Sequence, residues 1–103
     1  MKYLCTFYGG EVESEQGRAA GMAAMAKWYQ GLGAALLDGG GPLTGGLRTV
    51  TPQGDANETS VVPPPHGYCI LAAESMAAAT AIAKGCPLLK AGRSISIWEV
   101  FTP

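Results

Sequence analysis

Residues 2–8 alternate along the chain, with Tyr3, Cys5 and Phe7 on one side and Lys2, Leu4, Thr6 and Tyr8 on the other, the two-residue period of a strand. The polar run 9–17 then turns the chain. From 18 to 37 the period lengthens, because Met22, Met25, Tyr29, Leu32 and Leu36 step by three and four and share one stripe, with Trp28 beside it. That spacing predicts a helix over 18–37 lying on a sheet. Gly21, Gly31 and Gly33 each cost about 1 kcal/mol relative to alanine in a helix interior, a cost that close packing of the helix on a strand would explain. Asp38-Gly39-Gly40-Gly41-Pro42 predicts a firm helix stop, and the glycine-rich segment 38–46 reads as a turn.

A hairpin is expected next, with arms 47–51 and 58–62 around the turn-forming run Pro52-Gln53-Gly54-Asp55-Ala56-Asn57. Pro63-Pro64-Pro65 cannot donate ladder hydrogen bonds and separates the second arm from the next strand, which makes the hairpin an edge feature. Residues 67–73 are apolar at nearly every position, as in a central strand covered on both sides. Ser75 is a helix N-cap for an alanine-rich helix over 76–84, ended by Gly85 and Pro87. The last strand, 94–101, has Ile95 and Ile97 on one face and Trp98 and Val100 on the other.

The order strand, helix, strand with an extra hairpin arm, strand, helix, strand is the α+β, ferredoxin-like βαββαβ arrangement of an antiparallel sheet. Both crossovers place their helices on one face. The first, third and last strands nevertheless carry large apolar side chains on both faces. Sheet-on-sheet association of two copies is the simplest cover for the bare face, so a homodimer is expected.

At 103 residues the chain fits a single domain, 1–103, which buries about two thirds of the surface its unfolded chain exposes. Hydrophobic residues make up 48% and charged residues 15%, enough for one core beneath a weakly charged exterior. The net charge is -1 and the seven basic residues are scattered, which argues against nucleic acid as a partner. The N-terminal segment is too short for a signal-peptide core or a membrane span, and a cytoplasmic protein is expected. Three cysteines, Cys5, Cys69 and Cys86, are odd in number and far apart. They read as small buried hydrophobes and not as a disulfide framework.

The glycine-rich run 38–46 follows a helix instead of opening one and lacks a Gly-Lys-Ser/Thr ending, so it is no phosphate cradle. His66 is the only histidine, and acid-base chemistry near neutral pH would lean on it or on a carboxylate such as Asp38. Cys86 follows a helix C-terminus, whose partial negative charge opposes a thiolate. With one histidine and widely separated cysteines no metal-ligand spacing exists, and no cofactor is implied. Trp28 and Tyr29 suit a core or a cleft wall. The leading expectation is a small-molecule-binding dimer with a cleft between the sheet and the first helix, lined by Trp28, Asp38, His66 and Tyr68. A lyase or hydrolase using His66 as general base and Asp38 as its orienting partner is the rival. A protein-interaction module is the third reading.

The run Trp28-Tyr29-Gln30-Gly31-Leu32-Gly33-Ala34-Ala35-Leu36-Leu37-Asp38-Gly39-Gly40, followed by Gly67-Tyr68-Cys69-Ile70-Leu71-Ala72-Ala73-Glu74-Ser75 and Lys84-Gly85-Cys86-Pro87, resembles the YCII-related (DGPF-type) domain family. The resemblance covers nearly the whole chain and implies a dimeric α+β barrel built from ferredoxin-like domains. Some branches of that family carry a histidine in the first helix and an aspartate before the last strand, suggested to be catalytic. Here the first helix has no histidine, with Ala23 and Ala24 in that region, and Cys86 stands about where the aspartate would. That dyad does not carry over. The tetrapeptide DGPF is also absent from the hairpin, where Asp55-Ala56-Asn57-Glu58 appears instead.

Overall fold

The computed structural model of the chain describes residues 1–10, 14–44, 46–54, 56–57 and 63–103, with the backbone alone at 56–57. Strand β1 (Lys2–Gly9) leads to helix α1 (Glu15–Leu32) and a 3-10 turn at Gly33–Ala35. Strand β2 (Leu36–Pro42), the short strands β3 (Thr49–Val50) and β4 (Ala56–Asn57), and strand β5 (Gly67–Ala72) come next. Helix α2 (Met76–Ala83), a second 3-10 turn at Pro87–Ala91 and strand β6 (Arg93–Val100) complete the chain. The four long strands form one antiparallel sheet in the order β2-β5-β1-β6. This is the ferredoxin-like order that the element sequence predicts.

The capping chemistry is visible at both helix starts. Ser14 accepts a hydrogen bond from the Gly17 amide and Ser75 one from the Ala78 amide, each at 3.1 Å, which satisfies an amide that the first helical turn leaves without a partner. Strand β1 lies between β5 and β6, pairing Cys5 with Cys69 on one side and with Ile97 on the other. The ladder to β5 runs on to the terminus, where the Met1 ammonium donates to the Ala73 carbonyl at 2.9 Å and the Ala73 amide returns a bond to Met1 at 3.0 Å.

Two expectations are corrected in the segment after α1. The helix ends at Leu32 and not at 37, because Gly33 takes a positive φ of 56°, a conformation that costs other residues about 1–2 kcal/mol. Leu36 keeps its apolar partners from the start of a strand, packing on the core from β2. The glycine run is therefore not a turn but the middle of β2, an edge strand with register shifts between Leu36 and Asp38 and between Asp38 and Gly41. Gly40 has φ +62° and a Cβ there would overlap the Tyr68 carbonyl. The missing side chains let β2 approach β5 as a bulged strand. The expectation that the helix glycines mark close packing also fails, since a Cβ at Gly31 or Gly33 would meet nothing within 4 Å.

The hairpin after β2 is a separate two-stranded ribbon, pairing Thr49 with Asn57 and Val50 with Ala56. The arm expected at 58–62 lies outside the described residues. In β1 and β5 every second residue is buried. Cys5, Phe7, Cys69, Leu71 and Cys86 form the core cluster, and Met25, Trp28, Tyr29 and Leu32 of α1 and Ile82 of α2 pack on it. Both helices thus cover one side of the sheet. The Cα framework is only 17 Å deep along its short axis, the depth of a single helix layer on a single sheet.

Candidate functional site

Register assigns each expected site residue to a face. Residues directly opposite in an antiparallel pair point the same way. On the face without helices, Ile70, Leu4 and Trp98 form one row across β5, β1 and β6, with Tyr68, Thr6 and Ser96 in the next. Asp38 extends the first row, opposite Ile70 on β2. A Cβ at the adjacent Gly39 would lie 3.6 Å from the Tyr29 ring on the helix side, so Asp38 points away from the helices. Trp98 is 56% exposed, and its indole donates to Thr6 Oγ1 at 3.2 Å, which in turn donates to the Tyr8 hydroxyl at 3.0 Å. This open face is apolar and aromatic with a thin polar thread.

The four candidates are therefore not gathered in one cleft. Trp28 is on the helix side, where a Cβ at Gly85 would lie 3.5 Å from its indole nitrogen. It packs the end of α2 against α1. Tyr68 and Asp38 share the opposite face. His66 is exposed, just before β5, with its amide donating to the Phe7 carbonyl at 2.6 Å and its carbonyl accepting from the Leu43 amide at 2.9 Å. His66 lies four positions before Ile70, the residue opposite Asp38, which is about 13 Å along an extended strand. One chain does not bring His66 and Asp38 into hydrogen-bond reach. The Asp38 carboxylate instead accepts from the Gly40 amide at 2.8 Å, supporting the bulge. A concavity of about 340 Å³ lies at another corner, between Met1, Glu99, Val100, Phe101 and Thr102, and includes none of the four.

What the fold does assemble is a cluster of thiols under a phenol. Cys5, Cys69 and Cys86 are free and buried. Alternation along β1 and β5 sends Cys5 and Cys69 to the helix side, and register sets them face to face. Tyr29 on α1, Cys69 and Cys5 lie close enough to shift one another's proton equilibria. The Cys86 thiol points at the Met25 sulfur, 3.7 Å away.

This arrangement shifts the proton equilibria in opposite directions. The hydrogen bond with Cys5 raises the Cys69 thiol, with burial adding to it. The same bond lowers the Cys5 thiol, against burial and the Cys86 charge. Burial raises the Tyr29 hydroxyl, reinforced by the neighbouring Cys69. Cys86 is raised by burial first. Tyr29, Cys69 and Cys5 thus influence one another's protons, and the Tyr29 phenol stays protonated at neutral pH. Tyr29 also forms a tilted aromatic pair with Trp28, ring centres 5.4 Å apart.

The sequence pattern identifies Tyr29 as a stripe residue and Cys5 as an inward strand residue, but nothing in it aligns Cys5 with Cys69. The two lie 64 positions apart, and only the strand order pairs them. Among the described residues no group of three or more histidines, cysteines or acids is placed to hold a metal ion. No helix among them is long and apolar enough to cross a membrane.

No curated protein is significantly similar to the chain. Among solved structures, 5-chloro-2-hydroxyhydroquinone dehydrochlorinase from Burkholderia phenoliruptrix AC1100, in complex with 2,5-dihydroxybenzoquinone, superposes with a TM-score of 0.64 at 20% identity, over 100% of this chain and 96% of that one. At that identity the likeness concerns the fold. The profile of the YCII-related domain matches residues 1–101, and the chain belongs to the YCII-related domain family.

Proposed function

We propose that the chain acts as a homodimer that binds a small planar aromatic molecule, of the phenol or quinone class, at the β2 edge beside Tyr29. The observation that carries this reading is the meeting of a half-buried, un-ionised phenol and a side-chain-free edge strand. Tyr29 stands 3.6 Å from where a Cβ of Gly39 would be, so the backbone there leaves an aromatic face and a hydroxyl within reach of a flat ligand. A mostly apolar wall with a few fixed polar groups is the usual character of small-molecule sites. The structural neighbour holds a dihydroxybenzoquinone, which suggests the chemical class to try first.

The dimer rests on the open face. Leu4, Ile70 and Trp98 in a continuous row, with Tyr68 beside them, form an apolar sheet surface that a second sheet would cover at about 10 Å spacing. Binding rather than turnover by His66 and Asp38 fits their separation within one chain.

Thermal denaturation of the full chain with a panel of hydroquinones, benzoquinones and non-aromatic diols tests the ligand class. A ligand at a hundred times its dissociation constant adds about 2.7 kcal/mol, or a rise of about 10 °C or more for a domain this small. The rise should fail with the diols and shrink in Tyr29→Phe. Equal shifts in Tyr29→Phe and wild type would move the ligand away from β2.

A further inference from the structure

We propose that Cys5 and Cys69 are a redox-active pair that closes a reversible disulfide across β1 and β5 in response to a peroxide-class oxidant. The pairing is independent of any ligand at β2, and its basis is register. Cys5 and Cys69 are direct partners in the β1–β5 ladder, and opposite residues of such a ladder have Cα atoms about 4.5–5.5 Å apart. A disulfide needs about 4.4–6.8 Å. Both side chains leave the sheet on the same face, both are free, and both are buried, so neither strand has to move far for the bond to form. The two thiols also shift one another's proton equilibria in opposite directions.

Cys86 is the third thiol, and its contact is the Met25 sulfur at 3.7 Å. It is left out of the pair. The neighbouring Cys69 lowers the Cys5 thiol, which favours Cys5 as the attacking sulfur. In the first step the Cys5 thiolate attacks one peroxide oxygen, the O–O bond breaks, and the departing hydroxide takes a proton to leave as water. The product is a sulfenic acid on Cys5. In the second step the Cys69 sulfur attacks the Cys5 sulfur, the S–O bond breaks, and hydroxide leaves with the Cys69 proton as a second water. Two thiols lose two electrons and two protons, and the peroxide takes up both. Burial slows the first step, because oxidant must reach the strands through local opening. It also protects the intermediate, since the nearest reactive group to the sulfenic acid is the partner thiol.

The bond would tie the two central strands together and remove the Cys69 thiol beside Tyr29. A dithiol reductant would reverse it by exchange.

The test uses the intact protein treated with hydrogen peroxide, then denatured and alkylated for mass spectrometry. The expected product has one alkylated cysteine in place of three, a backbone mass about 2 Da lower, and a peptide link between Cys5 and Cys69, all reversed by dithiothreitol. Cys86→Ser should give the same link, and Cys5→Ser should leave both remaining thiols alkylatable. Should Cys5→Ser fail to fold, the peptide map of Cys86→Ser decides alone. A link involving Cys86, a bond between chains, oxygen addition without a link, or three alkylated thiols after treatment would each overturn the proposal.

Discussion

Replacing Gly40 by alanine tests how β2 joins the sheet, and its cost can be worked out in two parts. The first is conformational. Gly40 sits at φ +62°, and a residue with a Cβ loses about 1–2 kcal/mol there. The second is steric. The new Cβ would overlap the Tyr68 carbonyl and come within 2.8 Å of its carbon and 3.0 Å of its ring. Two of those atoms are main chain, so no side-chain rotation relieves the contact. β2 must swing away from β5, which strains the pairings of Gly41 with Tyr68 and Pro42 with Gly67 and the 2.9 Å bond from Leu43 to His66. At about 1 kcal/mol net for each ladder bond lost, the total reaches about 3 kcal/mol. With a urea slope of about 1.5 kcal/mol/M, the midpoint falls by about 2 M. Gly41→Ala is the control, because its Cβ would meet nothing within 4 Å, and it should stay within about 0.5 kcal/mol of wild type. Both curves are taken at one protein concentration, since the proposed dimer would make stability depend on it. A Gly40→Ala midpoint equal to that of Gly41→Ala would refute the bulged-strand account.

Gly31→Ala, in the exposed interior of α1 with open space at its Cβ, should raise stability by about 0.5–1 kcal/mol in urea titration. Leu71→Ala removes a fully buried side chain from the core and should cost about 2–5 kcal/mol by the same measurement. Tyr29 bears on alkaline stability. Its hydroxyl is raised from 10.0 in the folded chain, so its contribution is complete below pH 10 and is lost as pH rises further. Urea midpoints measured from pH 8 to 11 should fall for wild type and fall less for Tyr29→Phe. An unchanged pH slope in the variant would mean that Tyr29 is not held un-ionised.

Strand and helix identities were legible wherever one period persisted. The alternation of Tyr3, Cys5 and Phe7, the stripe Met25, Tyr29 and Leu32, and the Ser75 cap all reappear in the structure. The segment 33–42 was not legible, for a physical reason. Leu36 continues the helical stripe by spacing, while the glycines after it have the composition of a turn. Glycine in a strand packs no side chain, so its strand role shows only once β5 lies alongside. The placement of the candidate site residues was hidden for the same reason. Trp28, Asp38, His66 and Tyr68 are near element ends in sequence, but face depends on strand parity and on the bulge at Asp38. Parity was readable within β1 and β5 separately. The register between them, which pairs Cys5 with Cys69, was not.

Most depends on whether a second sheet covers the row Ile70, Leu4 and Trp98. Sedimentation equilibrium of the full chain at micromolar concentration, beside Trp98→Glu, measures it. Two stacked sheets require a wild-type mass twice the 10.6 kDa of the chain, with the variant shifted toward one chain mass but still folded by circular dichroism. A wild-type protein that sediments at a single chain mass, with that face in water, would overturn the sheet-on-sheet dimer.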